Sequence, residues 1–229
     1  IEIVSELICQ LKCKHCYLWS NDIQKSYQFL SESTVKGIID QAAEKRDNKT
    51  LFSQIAFLGG EPTLHPKLIE FIHYAIKKWL SAILVTNWLK LANYEYAKEI
   101  CIPGVSIVAH LPFQPISPKS IVDQNNVGGV SFYSERLNRA WNSILKLRTQ
   151  GVKVFWNFVI SKLSMGYAYD TYIYCRKNKI EPFFEKMRMS NDKEYNKKFI
   201  LTKKGIISII KKIFNYDYKN GYLDTGKYA

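Results

Sequence analysis

Short apolar runs alternate along the chain with segments in which apolar residues recur every three or four positions. This pattern predicts strands that alternate with helices. Short apolar runs, typical of buried strands, occupy residues 1–8, 54–58, 82–86, 105–109, 152–160 and 182–187. Between them, apolar residues three and four positions apart predict helices at 31–43, 66–80, 94–100, 134–150 and 167–177. Ser31 and Ser134 stand where helix caps are expected, and Gly151 stands where a helix ends.

This alternation is typical of βαβ units, and six of them predict an α/β protein with a parallel sheet. Eight such units close a full barrel, so six fall short of closure. Residues 111–130 are rich in Pro, Ser, Asn and Gly, and a loop of this length is expected to act as a lid or a binding loop. We assign residues 1–190 to the α/β domain, and residues 191–229 to a C-terminal helix, predicted at 202–214, and a tail.

The composition is that of a folded protein without a membrane segment. The chain has 229 residues, of which 47% are apolar, enough for a sizeable core. No apolar run approaches the roughly 20 residues that a membrane span needs, and no targeting leader opens the chain. We therefore expect a cytoplasmic protein with no membrane partner. Because Ile1 already belongs to a predicted strand, we also expect the natural protein to begin earlier.

The net charge is strongly positive, with 33 Lys and Arg against 20 Asp and Glu, a formal charge of +13. Such a surplus attracts anionic partners or substrates, although lysines scattered over a whole chain also occur without any such partner. Only residues 186–212 are dense enough in lysine to form a patch. Because phosphate contacts need a denser basic stripe, we do not expect nucleic acid as the main partner.

The cysteines carry the strongest chemical signal. Cys9, Cys13 and Cys16 fall within eight positions directly after the first predicted strand, whereas Cys101 and Cys175 stand alone and are expected to be packing residues. Three thiolates this close suit a zinc ion, with His15 or a distant group as fourth ligand, or a 4Fe–4S cluster with one open iron. The chain has no second CxxC or HxxxH pair downstream, which favours the cluster.

Two motifs together resemble the radical S-adenosylmethionine (SAM) superfamily. They are Cys9-x3-Cys13-x2-Cys16 and, after the second strand, Gly59-Gly60-Glu61-Pro62. The surrounding segments LKCKHCYLW and FLGGEPTLHP are closest to the branch that modifies ribosomally made peptides and proteins. The resemblance covers roughly residues 1–189, and it implies a partial (β/α)6 barrel with a parallel sheet. It also implies two cofactors, one 4Fe–4S cluster and SAM.

The resemblance implies roles for particular residues. Cys9, Cys13 and Cys16 would each ligate one iron, and the fourth iron would take the amino and carboxylate groups of SAM. The main chain at Gly59 and Gly60 would accept from the SAM ammonium, since glycine permits close approach. Further cofactor-binding candidates at or near strand ends are Glu61, Pro62, Thr86, Asn87, Ser106, His110, Asn157 and Arg188. Trp88 stands where the family often has Gly, which departs from its pattern.

The function implied is reductive cleavage of SAM to a 5′-deoxyadenosyl radical, which abstracts a hydrogen atom from a peptide or protein substrate. An external one-electron reductant of the flavodoxin or ferredoxin type would be a further partner. The same chemistry on a small metabolite or nucleotide is the alternative for the substrate. A zinc-binding module that contacts nucleic acid is the alternative of another class. Many peptide-modifying relatives carry a cysteine-rich extension for auxiliary clusters, which is absent from this chain or removed, since no Cys follows Cys175.

Overall fold

A parallel sheet forms the centre of the molecule in the computed structural model, which describes residues 2–6, 8–11, 13, 16, 29–46, 49–110, 130–149, 151–187, 189 and 191–223. Within that part of the chain, six strands pair in the order β1-β4-β5-β6-β7-β8, and every neighbouring pair is parallel. They are β1 (Glu2–Glu6), β4 (Gln54–Gly59), β5 (Ser81–Thr86), β6 (Val105–Ala109), β7 (Lys153–Ile160) and β8 (Glu181–Lys186). A separate antiparallel pair is formed by β2 (Lys45–Arg46) and β3 (Lys49–Thr50).

Seven α-helices in the described residues connect or follow these strands. They are α1 (Glu32–Ala43), α2 (Leu68–Lys77), α3 (Tyr94–Ile100), α4 (Val130–Thr149), α5 (Met165–Lys177), α6 (Lys193–Phe199) and α7 (Lys203–Lys219). Each strand of the sheet is thus followed by at least one helix, as six βα units require. None of these helices combines the length and apolarity needed to cross a membrane.

The core lies between the sheet and its helices. Alternate residues of the central strands are buried, as in β5, where Ala82, Leu84 and Thr86 point into the protein. The helices contribute apolar stripes, and in α2 the buried side chains are Leu68, Phe71, Ile72 and Ala75. The apolar positions of the sequence thus coincide with the buried faces of the strands and helices, which explains why the predicted elements form.

The two isolated cysteines belong to this packing, as the sequence predicted. Cys175 is fully buried in α5, and Cys101 is half-buried at the end of α3. Burial raises the pKa of both thiols to about 12, because the interior disfavours the charged thiolate. Both thiols therefore stay protonated and lack the thiolate form on which cysteine reactivity depends.

The structure corrects two predicted boundaries and adds one helix. Helix α4 begins at Val130, directly after two glycines, so Ser134 lies inside the helix and does not cap it. Helix α7 continues to Lys219 because Asp217 packs against α5, so the tail begins later than predicted. Helix α6 was not predicted, since its sequence KEYNKKF lacks a clear apolar period, although Asp192 caps it by accepting from Glu194 N and Tyr195 N.

The division into residues 1–190 and 191–229 stays a prediction. Helix α7 packs against α5, and its Ile209 belongs to the main hydrophobic core.

Parallel pairing has a direct consequence for the position of a site. Because all six strands run the same way, their carboxyl ends and the segments that follow them meet at one edge of the sheet.

Candidate active site at the carboxyl ends of the strands

A cavity of about 210 Å³ opens at this edge, and most of the predicted site residues line it. Its walls come from the segments after β1 and β4, from the ends of β5, β6, β7 and β8, and from the residue after β8. The predicted residues in the lining are Cys9, Cys13, Cys16, Gly59, Gly60, Glu61, Thr86, Asn87, His110 and Asn157. The fold thus brings together residues that are up to about 150 positions apart in the sequence.

The cysteine segment is held by main-chain hydrogen bonds and by a neighbouring strand end. Cys16 N donates to Cys13 O at 2.9 Å, which closes a tight turn between the two thiols. The Cys9 sulfur accepts from Leu11 N at 3.4 Å and from Asn87 Nδ2 at 3.8 Å. Such N–H donors stabilise a thiolate, the form in which cysteine binds metals.

Without a bound cation, burial favours the neutral form of the Cys9 and Cys13 thiols. Burial raises the pKa of Cys9 to about 12, and burial together with the charges of Cys16 and Cys9 raises that of Cys13 well above its usual value. Three half-buried thiolates in one place would repel one another, so a cationic group that compensates their charge is required.

The donor set fits a multi-iron cluster. Its three cysteines supply thiols, whose thiolates are the ligands that hold iron–sulfur clusters, and each thiolate can bind a different iron. The assignment of Cys9, Cys13 and Cys16 as ligands stays a prediction, and their shared position on the cavity wall is compatible with it.

Glu61 is a fully buried carboxylate that connects the turn after β4 with the end of β5. Its Oε1 accepts from Thr63 N at 3.1 Å, from Thr63 Oγ1 at 2.6 Å and from Thr86 Oγ1 at 2.6 Å. Its Oε2 accepts from Asn87 N at 2.7 Å. Burial raises the pKa of Glu61, and these hydrogen bonds act in the opposite direction. Because four donors already occupy the carboxylate, Glu61 acts mainly by holding the strand ends in place.

The two glycines before Glu61 lie where β4 ends beside the cysteine segment. Gly59 has a φ of 146°, a conformation that is essentially restricted to glycine. Immediately after the pair, Glu61 N donates to Ile8 O at 2.8 Å, which ties this turn to the segment leading into Cys9. The main chain at the glycines therefore faces the cavity without side chains in between.

The structure at the end of β5 explains how Trp88 can stand where the family often has Gly. Asn87 donates through Nδ2 to the Cys9 sulfur, while its Oδ1 accepts from Gln10 Nε2 and Leu89 N. Trp88 has a φ of 66°, in the left-handed region that glycine favours, and its side chain is completely buried. The backbone therefore keeps a glycine-like conformation, and core packing of the indole compensates for the strain.

His110, Asn157 and Glu185 form the wall contributed by β6, β7 and β8. Asn157 Nδ2 donates to Glu185 Oε2 at 3.2 Å, whereas Asn157 Oδ1 is buried without a hydrogen-bond partner among the described residues. Burial lowers the pKa of His110, and a hydrogen bond to the Asn157 backbone and the charge of Glu185 act in the opposite direction. The free Oδ1 can accept a hydrogen bond from a ligand in the cavity.

Two predicted site residues are misplaced. The prediction that Ser106 binds a cofactor is wrong. Ser106 is the second residue of β6 and lines a groove at the opposite, amino-terminal edge of the sheet. Pro62 is buried as the first residue of the 3₁₀ turn Pro62–Leu64, and among the described residues it is not part of the cavity wall. Arg188, His15 and residues 111–129 of the predicted lid lie outside the described residues.

Seven lining residues were not predicted from the sequence, namely Leu11, Leu58, Val85, Val159, Glu185, Lys186 and Met187. Glu185 was detectable, since it is an acidic residue near the carboxyl end of a predicted strand. The apolar residues were not, because nothing in their local pattern distinguishes a cavity wall from a core.

Comparisons with known proteins agree with this arrangement. A sequence profile described as the Radical SAM superfamily matches residues 6–160. Fe-coproporphyrin III synthase from Methanosarcina barkeri is 31% identical over 156 residues, which are 67% of this chain and 35% of that protein.

Two solved structures share the fold at low sequence identity. One is SuiB from Streptococcus suis, bound to the precursor peptide SuiA, with a TM-score of 0.67 and 19% identity over 96% of this chain and 46% of SuiB. The other is anSMEcpe with AdoMet and the Cp18Cys peptide, with a TM-score of 0.69 and 17% identity over 96% of this chain and 60% of anSMEcpe.

The chain spans about a third of the curated relative's length, and about half of the structural relatives'. The structural similarity confirms the partial (β/α)6 barrel. The profile match covers well over half of the chain and includes both the cysteine segment and the turn at Gly59–Gly60. The chain therefore belongs to the Radical SAM superfamily of enzymes.

Proposed function

We propose that this protein cleaves SAM reductively at one 4Fe–4S cluster held by Cys9, Cys13 and Cys16, and abstracts a hydrogen atom from a peptide or protein substrate. Family membership implies both cofactors. The observation that carries the proposal is the single cavity in which the three thiols, the Gly59–Gly60 main chain and the ends of β5–β8 meet. When bound, the cluster held by these cysteines would supply the electron for the reductive cleavage of SAM.

The residues around the cavity bind and orient the cofactors. The main chain at Gly59 and Gly60 accepts from the SAM ammonium, and Asn157 Oδ1, which is otherwise without a partner among the described residues, accepts from a ribose hydroxyl. Glu61 and Asn87 hold the strand ends at a constant distance from Cys9. An external reductant of the flavodoxin or ferredoxin type supplies the electron, as expected in the cytoplasm.

Anaerobic reconstitution tests the cofactor part of the proposal. We expect about four irons and four sulfides per chain, SAM binding only when the cluster is present, and 5′-deoxyadenosine after addition of a strong reductant. Cys13→Ala should abolish all three results, whereas Cys101→Ala, a half-buried cysteine away from the cavity, should preserve them. Stoichiometric zinc without inorganic sulfide would contradict the proposal and favour the zinc-binding module.

A peptide substrate is supported by the surface beside the sheet as well as by two relatives. SuiB and anSMEcpe are both known in complex with peptides. Helix α7 has an exposed apolar stripe whose members are three and four positions apart, Ile207, Ile210, Phe214 and Tyr218. The same helix contains five lysines and one acidic residue, Asp217, which is buried. An acidic peptide segment with apolar side chains matches this surface.

The curated relative supports the other candidate, since Fe-coproporphyrin III synthase is named for a small molecule. Deuterium transfer distinguishes a peptide substrate from a small-molecule substrate. Reduced enzyme and SAM are incubated with deuterated candidate peptides and, separately, with deuterated metabolites, and 5′-deoxyadenosine is analysed by mass spectrometry. We expect transfer from a peptide. Transfer from a free metabolite, and from none of the peptides, would contradict the peptide proposal and leave the cofactor chemistry intact.

A further inference from the structure

Glu185 and Asn157 form a hydrogen-bonded pair across the last two strands of the sheet, and neither sequence motif includes Glu185. Both side chains line the cavity, from the carboxyl-terminal halves of β8 and β7. In the register of these strands Glu185 lies opposite Val159, two residues after Asn157, so the two polar side chains are diagonal neighbours. Asn157 Nδ2 donates to Glu185 Oε2 at 3.2 Å.

The chemistry of Glu185 determines which end of the Asn157 amide faces it. An amide has a donor end, the NH2 group, and an acceptor end, the oxygen, and the two ends have nearly the same shape. A carboxylate accepts hydrogen bonds and donates none, so it attracts the NH2 group and repels the oxygen. Glu185 therefore stabilises the amide orientation in which Nδ2 points to β8 and Oδ1 points away from it.

This orientation determines what the cavity wall offers to a ligand. Asn157 is only 7% exposed, and its Oδ1 is buried without a hydrogen-bond partner among the described residues. The wall thus presents an acceptor at this position, which favours a ligand with a hydroxyl or N–H group there and disfavours a ligand with an acceptor. The ribose hydroxyls of SAM are donors of this kind.

We infer that Glu185 is a positioning residue for SAM, which holds the Asn157 amide with Oδ1 turned toward a ribose hydroxyl. This inference rests on the proposed function, in which Asn157 makes the hydroxyl contact. Glu185 acts through the amide, so its effect should depend on whether the ligand carries that hydroxyl. A residue that only supports the fold would affect ligands with and without the hydroxyl equally.

The test varies residue 185 and the ribose of SAM together. Glutamate only accepts, glutamine both accepts and donates, and lysine only donates, so Glu185→Gln permits both amide orientations and Glu185→Lys favours the reversed one. Binding of SAM and of its 2′-deoxy and 3′-deoxy analogues to the reconstituted protein is measured by titration calorimetry.

In the unchanged protein, loss of the recognised hydroxyl should weaken binding about tenfold, equivalent to about 1.4 kcal/mol. This loss should be smaller in Glu185→Gln and absent in Glu185→Lys. The ratio of the two affinities is compared because a new positive charge weakens binding of the cationic SAM and its analogues alike, and this effect cancels in the ratio.

Glu181→Lys is the matched control. It makes the same change of charge in the same strand, at an exposed position at the opposite end of β8. It should keep the full tenfold loss. Glu185→Gln alters the size of the side chain very little, so it decides the question even if Glu185→Lys does not fold.

The outcomes separate the inference from the proposed function. If the unchanged protein assembles no cluster, both the function and the inference are wrong. If the cluster forms and SAM is cleaved, but neither deoxy analogue binds more weakly than SAM, the function stands and the role of Glu185 is overturned. An equal loss in Glu185→Gln and in the unchanged protein would overturn that role as well.

Discussion

At the scale of single residues, the site depends on groups that hold the strand ends more than on groups that face a ligand. Glu61 accepts from Thr63, Thr86 and Asn87, and Asn87 in turn donates to the Cys9 sulfur. One buried carboxylate thus connects the ends of β4 and β5 with the cysteine segment. A change at Glu61 should therefore affect stability and cofactor binding together.

Replacing Glu61 by Gln tests this connection. The amide keeps one acceptor oxygen, but its NH2 group replaces Oε2 and faces the Asn87 N–H, so two donors oppose each other. We expect a loss of about 1–3 kcal/mol in the free energy of unfolding, measured in urea on the protein without cofactors. The control is Glu99→Gln, an exposed residue of α3, which should change stability by less than about 0.5 kcal/mol. Equal stability of the two variants would contradict the role given to Glu61.

The backbone at Gly59 leads to a second prediction. A side chain at a φ of 146° is strained, so Gly59→Val should destabilise the protein by about 1–3 kcal/mol. It should also weaken SAM binding to the reconstituted protein at least ~10-fold, equivalent to about 1.4 kcal/mol, measured by titration calorimetry. The control is Gly37→Ala in α1, where an added Cβ meets no atom within 4 Å. Because alanine favours helices, that variant should be more stable by about 0.5–1 kcal/mol, with SAM binding unchanged.

At the scale of elements, the two helices after β8 are joined to the α/β unit in different ways. Helix α6 packs through Tyr195 and Phe199 beside the cavity. Helix α7 packs on α5, where Tyr172 and Arg176 both donate to the Asp217 carboxylate. The polar contact anchors the C-terminal half of α7, and Ile209 anchors its middle.

Asp217→Ala should loosen the C-terminal half of α7. We expect a loss of about 1–3 kcal/mol in unfolding free energy, because the Tyr172 hydroxyl then lacks its acceptor. Hydrogen exchange measured by mass spectrometry should show faster exchange in peptides that cover 210–219. Glu181→Ala removes the other carboxylate near Arg176, at 3.9 Å and largely exposed, and should cost less than about 1 kcal/mol. Unchanged exchange in Asp217→Ala would rule out this anchoring contact.

At the scale of the whole molecule, the protein is strongly positive, and positive charge and exposed apolar surface occur together on α7. The formal charge is +13, and α7 combines exposed lysines with the apolar stripe Ile207–Tyr218. If an acidic peptide binds there, its affinity depends on ionic strength, because exposed charges are screened within about 8–10 Å at physiological salt.

Charge reversal on α7 tests where the peptide docks. For a peptide that transfers deuterium, the double variant Lys204→Glu and Lys211→Glu should raise KM about fivefold and reduce its dependence on salt, with kcat unchanged. The double variant Lys77→Glu and Lys153→Glu alters the net charge equally at exposed positions outside α7. If both pairs raise KM to the same extent, the peptide responds to the overall charge and does not dock on α7.

Much of the fold and the site was predictable because the evidence for it is local. The apolar runs and the helical spacing of apolar residues predicted the six strands and the five connecting helices. The predicted ends lie within four residues of the observed ends. Three cysteines in eight positions and Gly59–Gly60 next to Glu61 indicated the chemistry without any knowledge of the fold, since ligand spacing and chain flexibility are properties of short segments. The orientation of parallel strands then placed both motifs at one edge.

Tertiary structure alone decided which side chains share the cavity and which were misjudged. Glu61 is saturated by hydrogen bonds, and Trp88 adopts the conformation of a glycine. Tyr195 packs against the cavity-lining residues Met187 and Val159, on a helix whose apolar pattern is too short to read. The physical reason is the same for these residues. Burial, hydrogen-bond satisfaction and backbone strain depend on what surrounds a residue in space, and the neighbours that matter here come from distant parts of the chain.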